Sequence, residues 1–360
     1  MSLRGRFEGA LVGALVGDVL GARFEVLDWS ERIPLFKIRD FTRRFGFERR
    51  RKHTRTSDTR YTDDTAMTRV LARSLIECRR FNAKRTAEGF CKEYFEEPWR
   101  GYGGSVVRIF RVWKDEGIDD PFRLAREQFD GKGSFGNGAA MRIAPVALYG
   151  YYDWDMTEMA ADGSARLTHS HPDAVSGAVL QCRAVWQALQ ADQHVAMNTD
   201  DFIAELKKVL QHEEAAKLNT LHRVTRSTES SIMQSSPYHS QLLKMQVLLA
   251  RGTPQLGYDV ADALGNGVSA KEAVSTAIYA FLHSVKYQLS FHELMDYAIS
   301  IGGDTDTIAS MAGAIAGAYC GVDVIPRQFR DAAESVDDAV AFASSLYDLA
   351  TSLSSSTCSL

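Results

Sequence analysis

Apolar residues recur at three- and four-residue intervals along most of this chain, and this spacing is the feature that most constrains its fold. It predicts helices over residues 6–22, 63–78, 86–95, 105–113, 137–149, 173–189, 201–210, 240–249, 271–283, 291–299, 305–319 and 337–349. Alternating strand patterns are scarce, and a strand–helix–strand order is absent. We therefore predict an all-α protein, a single compact domain of orthogonally packed helices over residues 1–360.

Two stretches interrupt the helical spacing. Residues 29–60 have the composition of a loop and contain a basic run at residues 49–53. This run can be part of a solvated loop or a binding patch for an anionic partner, and we favour the solvated loop. Residues 212–236 are polar and rich in Ser and Thr, which predicts a surface connection. Neither stretch has the composition of a linker between domains.

Composition narrows the classes of partner. The 360 residues are 45% hydrophobic and carry a net charge of −4, which is typical of a globular protein and gives no reason to expect nucleic-acid binding. The apolar residues 10–20 are too few to span a membrane and predict a buried helix. The five scattered cysteines predict reduced thiols. We expect a monomer in the cytoplasm with access to the nucleus.

A pair of acidic residues, Asp63 and Asp64, opens the helix predicted at residues 63–78, directly after Thr62. Adjacent carboxylates repel each other unless a cation lies close to both. The alternative is helix capping, with Thr62 as the N-cap and the two acidic residues aligned with the helix dipole. Taken alone, this pair favours capping.

A second acidic cluster changes that balance. Asp304, Thr305, Asp306 and Thr307 open a helix after a Gly-Gly turn, and the small apolar residues that follow predict that this helix is buried. Burying its acidic start without a partner is expensive. If the fold joins both clusters, a hard cation such as Mg²⁺ or Mn²⁺ neutralises them together, because oxygen ligands without cysteine select such ions.

Two further acidic residues accompany the first predicted helix. Asp18 interrupts an apolar stretch and therefore needs a buried partner, while Gly13, Gly17 and Gly21 permit close helix packing. Glu25 follows the end of this helix, where it is free to point into a shared cavity. Taken alone, a residue in that position is more often at the surface.

A glycine-rich loop precedes the helix predicted at residues 137–149, with glycines at positions 131, 133, 136 and 138. Backbone N–H groups at a helix start bind phosphate or pyrophosphate, and the spacing matches neither the Walker A motif nor the dinucleotide fingerprint. The flanking Phe129 and Phe135 can stack on an adenine, and a turn with core phenylalanines is an equal alternative. A second glycine-rich turn at residues 101–104 can form another wall of the same cleft.

Two histidines, His169 and His171, precede the helix predicted at residues 173–189. Such a pair can bind zinc, but no third nitrogen or sulfur ligand lies near it in the sequence. We predict that one is a hydrogen-bonding residue of the site and that the other is structural or exposed.

In order and spacing, these motifs resemble those of the ADP-ribosylglycohydrolases. The resemblance runs from about residue 5 to about residue 326 and rests on residues 17–25, 61–67, 136–142, 168–169 and 302–307. The loop at residues 131–138 is most similar to that of the ADP-ribosylhydrolase 3 branch. That branch hydrolyses O-glycosidic ADP-ribose linkages, as in ADP-ribosyl-serine, poly(ADP-ribose) and O-acetyl-ADP-ribose.

The resemblance implies a cleft with two Mg²⁺ ions, for which Mn²⁺ can substitute, held by Glu25, Thr62, Asp63, Asp64, Asp304, Asp306 and Thr307. It also implies an ADP-ribose site formed by Gly101, Phe129, Lys132, Gly133, Ser134, Phe135, Gly136, Asn137 and His169. The branch more often has Tyr at position 135, and residues 27–60 match the family poorly. Glu25 is the candidate acid/base, because it is the one motif carboxylate outside the Asp-Thr clusters.

Two alternatives stay open at this point. The first is hydrolysis of ADP-ribosyl-arginine by the same metal motifs. The second belongs to a different class: a non-catalytic member of the family, either crystallin-like or an ADP-ribose-binding module. All of the motif carboxylates are present, which favours the enzyme. We expect ADP-ribosylated proteins and other ADP-ribose-containing molecules as partners, and no membrane.

Overall fold

The computed structural model describes residues 1–25, 33–45, 59–224 and 236–357, and these contain seventeen α-helices. The helices are α1 (Leu3–Gly21), α2 (Leu35–Arg44), α3 (Asp63–Cys78), α4 (Ala83–Glu96), α5 (Gly104–Glu116), α6 (Arg123–Glu127), α7 (Ala144–Tyr149), α8 (Trp154–Arg166), α9 (Pro172–Gln190), α10 (Thr199–Val224), α11 (Pro237–Ala250), α12 (Gly257–Leu264), α13 (Ala270–Lys286), α14 (Phe291–Ser300), α15 (Thr305–Cys320), α16 (Arg327–Ala332) and α17 (Val336–Thr357). Pairing between extended segments is limited, within these ranges, to one isolated bridge between Gly136 and Ser269. The predicted all-α class is confirmed.

The centre of the fold is an antiparallel pair formed by α1 and α15. A Cβ atom added at any of four glycines of α1 would lie 2.2–2.3 Å from a backbone oxygen of α15, so only glycine permits this approach. These glycines and their α15 partners are Gly9 and Gly317, Gly13 and Gly313, Gly17 and Ala309, and Gly21 and Thr305. Both helices are buried almost throughout. Their pairing brings the end of α1 to the acidic start of α15.

The other end of this pair is fixed by a buried arginine. The Arg6 side chain donates hydrogen bonds to the carbonyl oxygens of Ala318 in α15 (2.9 Å), Ala191 after α9 (3.2 Å) and Ala188 in α9. Carbonyls near helix ends lack partners within their helix, so one guanidinium satisfies several of them. Arg6 thereby fixes α1 against both neighbours.

Three predictions of local structure were wrong. Residues 29–60 contain α2, whose Ile38 and Thr42 are fully buried, while the basic run at residues 49–53 lies outside the described residues. Residues 212–236 are helical as far as Val224. The helix predicted at residues 137–149 is a 3₁₀ turn, Asn137–Ala139, followed by α7, because Pro145 has no N–H and fits the first turn of a helix but not its middle.

No helix within the described ranges combines the length and apolar character that a membrane crossing requires. The cysteines of these ranges, Cys78, Cys91, Cys182 and Cys320, are unpaired, and Cys358 lies outside them.

Candidate functional site

Three carboxylates meet where α1 ends and α15 begins. One oxygen from each of Glu25, Asp304 and Asp306 lies within 4.8 Å of the others, a spacing that suits a shared cation. Asp304 and Asp306 are buried, whereas Glu25 is exposed. The group is therefore fixed on its protein side and open to solvent at Glu25.

Asp304 is held from several directions. Its N–H donates to Asn266 O (2.9 Å), and its Oδ2 accepts a hydrogen bond from Asn137 Nδ2 (2.5 Å). The preceding Gly303 has a φ of 75°, and a Cβ there would lie 2.1 Å from Asn266 O, so this turn requires glycine. The adjacent Thr305 Oγ1 donates to Gly21 O (2.9 Å) and joins this turn to α1.

The acidic pair Asp63–Asp64 lies at the start of α3 and contacts the cluster at residues 304–307. Thr62 is the N-cap of α3 and accepts a hydrogen bond from Asp64 N (3.3 Å), so the capping interpretation also holds. Thr307 Oγ1 donates to Asp64 Oδ1 (3.3 Å), which links the two clusters across 243 positions of sequence. Asp64 Oδ2 is buried and has no hydrogen-bond partner in the described ranges. Capping therefore does not account for this carboxylate, and a cation fits it.

Asp18 positions the start of α3. Its carboxylate is fully buried and accepts hydrogen bonds from Thr62 N (3.0 Å), Thr65 N (3.1 Å) and Thr65 Oγ1 (2.6 Å). The prediction that Asp18 has a buried partner is confirmed. Sequence reasoning did not assign it this role, because the contact depends on how α1 and α3 cross.

Burial and mutual repulsion disfavour ionisation of these carboxylates. Burial raises the pKa of Asp63 to about 8, with the Asp18 charge adding to the effect, and burial raises the pKa of Asp18 to about 6. Burial, followed by neighbouring carboxylates, raises the pKa values of Asp64 and Asp306 well above the usual range. Burial and then Asp304 also raise the pKa of Glu25. A divalent cation would relieve this repulsion, and the donor set of carboxylate and threonine oxygens suits a hard ion.

Gly101 and its neighbour Arg100 form a wall beside Asp63. Asp63 N donates to Arg100 O (2.7 Å), and a Cβ on Gly101, whose φ is 92°, would lie 3.5 Å from Asp63 Oδ1. The buried Arg100 side chain is held by Glu334 (2.7 Å) and by Tyr61 O (2.9 Å). This ion pair fixes the turn that carries Gly101.

The glycine-rich loop lies against the acidic cluster. Asn137 N donates to Val268 O (2.9 Å), and Ala270 N donates to Phe135 O (2.9 Å), which fixes the loop to the segment before α13. No α-helix begins at Asn137, so the predicted helix N-terminus does not exist there. The N–H groups of Ser134 and Phe135 donate no hydrogen bond within the described part of the chain, and these can serve an anionic ligand.

Two phenylalanines flank this loop. Phe129 and Phe135 are each 52% exposed, so the alternative that they are core residues is wrong. Phe129 has a φ of 53°, which places it in the left-handed region together with Asp130. The Phe135 ring meets the His171 ring edge-on at 6.0 Å. Lys132 is exposed between them.

The two histidines have different places. His171 is the N-cap of α9 and accepts a hydrogen bond from Asp173 N (3.1 Å), so its place is structural. His169 is buried, and its Nε2 lies 3.3 Å and 3.1 Å from Cβ atoms added at Gly136 and Gly138. His169 Nε2 therefore lies beside the glycine-rich loop.

Two hydrogen bonds bring together predicted site residues from three separate sequence motifs. The Asn137–Asp304 hydrogen bond joins the glycine-rich loop to the acidic cluster at residues 304–307, and the Thr307–Asp64 bond joins that cluster to the pair Asp63–Asp64. These two contacts connect sequence motifs that are far apart.

Comparison with known proteins identifies the fold and the family. The family model for ADP-ribosylglycohydrolase matches residues 1–355. The chain belongs to the ADP-ribosylglycohydrolase family. This membership confirms the predicted resemblance and the predicted enzyme class, a hydrolase that acts on ADP-ribose glycosidic bonds.

Individual relatives lie at different distances. The chain is 38% identical over 350 residues to the ADP-ribosylhydrolase ARH3 of Homo sapiens, with 95% of this chain and 93% of that protein covered. It is 37% identical over 351 residues to the ARH3 of Xenopus tropicalis, covering 96% and 95%. The ADP-ribosyl-[dinitrogen reductase] glycohydrolase of Rhodospirillum rubrum is 26% identical over 326 residues, covering 90% and 89%.

A solved structure shows the same fold. An ADP-ribosylglycohydrolase-related protein complex superimposes with a TM-score of 0.66 at 22% identity, covering 97% of this chain and 99% of that chain.

Proposed function

We propose that this protein is a Mg²⁺-dependent hydrolase that releases ADP-ribose from O-glycosidic linkages. The observation that carries the proposal is the 2.5 Å hydrogen bond between Asn137 of the glycine-rich loop and Asp304 of the acidic cluster. This bond holds a candidate diphosphate-binding segment directly against a candidate cation site. A ligand with a diphosphate and a reactive ribose fits that combination.

The two acidic clusters and Glu25 together supply seven candidate metal ligands. We propose that two Mg²⁺ ions, or Mn²⁺ in their place, are held by Glu25, Thr62, Asp63, Asp64, Asp304, Asp306 and Thr307. Asp64 Oδ2, which is buried without a hydrogen-bond partner among the described residues, is an atom that such an ion would satisfy. When bound, the ions would supply charge stabilisation at the ribose and a more acidic water.

Glu25 is the proposed acid/base. It is the exposed member of its carboxylate group, so it can reach both a water molecule and the departing hydroxyl of the substrate. Its raised pKa lets it hold a proton closer to neutral pH than an ordinary glutamate. Cleavage of the anomeric C–O bond builds positive charge on the ribose and negative charge on the leaving oxygen, and Glu25 can pass to that oxygen a proton taken from the attacking water.

The glycine-rich loop is the proposed site for the rest of the ligand. Ser134 and Phe135 offer N–H donors to the diphosphate, and Lys132 adds a positive charge at its exposed edge. The exposed rings of Phe129 and Phe135 supply apolar faces for adenine. Gly133 lets the loop pack against the segment before α9, because a Cβ there would lie 2.6 Å from His171 N, while Gly136 and Gly101 leave room beside His169 and Asp63.

The linkage is the finer part of the proposal. The relatives at 37–38% identity are named ADP-ribosylhydrolase ARH3, whereas the bacterial dinitrogen-reductase glycohydrolase is at 26%. This difference supports O-glycosidic bonds, including ADP-ribosyl-serine, poly(ADP-ribose) and O-acetyl-ADP-ribose, over ADP-ribosyl-arginine. Monomeric state and a cytoplasmic or nuclear location stay predictions.

The test compares two modified peptides that share one sequence and differ only in a serine or an arginine linkage. We expect release of ADP-ribose from the serine peptide and little from the arginine peptide in the presence of Mg²⁺. Preference for the arginine peptide would refute the proposed linkage. ADP-ribose binding without release from either peptide would instead identify a binding module.

A further inference from the structure

A buried arginine supports the turn that follows the glycine-rich loop. Arg142 is fully buried, and burial lowers its pKa to about 9. Within the described residues its hydrogen-bond acceptors are all neutral: Ser164 O (2.7 Å), Thr168 Oγ1 (2.9 Å), Gly138 O (3.1 Å) and Met67 Sδ (3.8 Å). A buried cation without a hydrogen-bonded carboxylate is costly. The Phe90 ring, whose centroid lies 4.7 Å from Arg142 Cζ, and the charge of Asp63 offset part of this cost.

The hydroxyl of Thr168 connects this arginine to His169. Thr168 Oγ1 lies 2.9 Å from Arg142 Nη1 and 2.7 Å from His169 Nδ1. The guanidinium can only donate, so the hydroxyl accepts from Arg142 and keeps its own hydrogen. No other acceptor for that hydrogen occurs in the described part of the chain, so Thr168 donates it to His169 Nδ1.

This direction determines the state of the imidazole ring. A nitrogen that accepts a hydrogen bond carries no proton, so the proton of a neutral ring lies on Nε2. The ring is neutral, because burial and then the Arg142 charge lower the pKa of His169 to about 3. Nε2 lies next to Gly136 and Gly138 and has no hydrogen-bond partner among the described residues.

We infer that Arg142 and Thr168 are positioning residues that fix His169 as the neutral Nε2–H tautomer, so that His169 donates one hydrogen bond to a ligand oxygen beside the glycine-rich loop. Under the proposed function, the acceptor is an oxygen of ADP-ribose that lies beside Gly136 and Gly138. His169 is then a donor and takes no proton during the reaction. The identity of the ligand in this inference rests on the proposed function. The tautomer of His169 does not depend on the proposed function.

The tautomer can be measured directly in the ligand-free, full-length protein. In a two-bond ¹H–¹⁵N spectrum of ¹⁵N-labelled protein, the His169 signals are assigned by their loss in His169→Gln. We expect Nε2 to carry the hydrogen and Nδ1 to be bare over the neutral pH range. A hydrogen on Nδ1, or a ring that is charged at neutral pH, would overturn the inference.

Variants test whether Thr168 fixes this state. Thr168→Val removes the donor to Nδ1, and we expect a mixture of both tautomers. Equal populations would weaken ADP-ribose binding about twofold, because only the Nε2–H form donates to the ligand. Thr168→Ser keeps a hydroxyl and should restore both properties. Thr157→Val is the matched control, because Thr157 is also fully buried and its hydroxyl is within reach of Asp153 O (2.6 Å) and Gly150 O (2.8 Å) rather than of His169. It should lower stability without changing the His169 tautomer.

The outcomes separate this inference from the proposed function. Thr168→Val with an unchanged tautomer and unchanged ADP-ribose affinity would overturn the positioning role. If Thr157→Val shifted the His169 tautomer as much as Thr168→Val does, the positioning role would also be overturned. The shift would then result from a general loss of stability and not from the Thr168 hydroxyl. An Nε2–H ring that depends on Thr168, in a protein that does not bind ADP-ribose, would support the positioning role and contradict the proposed function.

Discussion

The close approach of α1 and α15 makes a prediction that links packing to activity. Gly21→Ala and Gly9→Ala each place a methyl group 2.3 Å from a backbone oxygen of α15, at Thr305 and at Gly317 respectively. Ordinary contact begins at 3.4 Å, so in both variants the helices must separate by about 1 Å at that point. The two sites are about 18 Å apart along α1.

The expected loss of stability is similar for the two variants. Overpacking a buried contact lowers the unfolding free energy by about 1–3 kcal/mol. Alanine has the higher helix propensity, so replacing glycine by alanine within a helix raises the unfolding free energy by up to about 1 kcal/mol. We therefore expect a net loss of about 1–2 kcal/mol in each, measured by denaturant unfolding. Gly104→Ala is the control, because a Cβ there meets nothing within 4 Å, and it should lose no stability.

The activities of the two variants should differ. In Gly21→Ala the new methyl also lies 2.5 Å from Asp306 Cα, so relief of the contact displaces a proposed metal ligand. A displacement of about 1 Å can lower turnover about a hundredfold. Gly9→Ala should keep wild-type turnover and Mg²⁺ affinity at a temperature where both variants are folded. Equal turnover in the two variants would refute the idea that this pair of helices sets the geometry of the site.

The remaining predictions concern the cluster itself. Because Asp18 and Asp63 have pKa values of about 6 and about 8 in the folded protein, above those of the unfolded chain, the folded state binds more protons between about pH 4 and pH 8. In chelator-treated protein, the contribution of these two groups to the unfolding free energy therefore falls as pH rises through that window. Thermal unfolding should show that Mg²⁺ restores more stability at pH 8 than at pH 5. An equal gain in stability at pH 8 and at pH 5 would contradict this. Glu25→Gln should lower turnover at least about a hundredfold while calorimetry still detects Mg²⁺ binding, and near-normal turnover would exclude Glu25 as the acid/base. Asn137→Ala should weaken Mg²⁺ binding about tenfold, since it removes a hydrogen bond to a charged carboxylate, and unchanged affinity would show that Asp304 needs no such support.

Local sequence signals predicted several parts of this fold accurately. The start of α3 was predictable because Thr62 is an N-cap followed by two acidic residues, and the helix begins and ends where its apolar spacing does. Asp18 was predicted to need a buried partner for a similar reason, since an isolated carboxylate in an apolar helix is unstable. These are properties of short segments, and they do not depend on the rest of the chain.

Contacts between distant segments were not predictable from local signals. Asn137 and Asp304 are 167 positions apart, and nothing near either residue indicates that one holds the other. The same is true of Arg142 and Thr168, which are 26 positions apart, although an arginine within an apolar pattern indicates a buried cation. For α2, the basic composition of the surrounding loop obscured the apolar spacing of Ile38, Phe41 and Phe45. At residues 137–149, the apolar spacing predicts one continuous helix, whereas Pro145 indicates that a helix starts near residue 144. The structure follows the proline.

The most direct test of the central claim is release of ADP-ribose from a serine-modified peptide as Mg²⁺ is added back to chelator-treated protein. If the two acidic clusters form one metal site, turnover is absent without Mg²⁺ and rises to its full value with it. Asp304→Ala should then stay inactive at every Mg²⁺ concentration, because it loses a carboxylate that both the loop and the cation are proposed to contact. Full turnover in chelator, or normal Mg²⁺-dependent turnover in Asp304→Ala, would contradict the account.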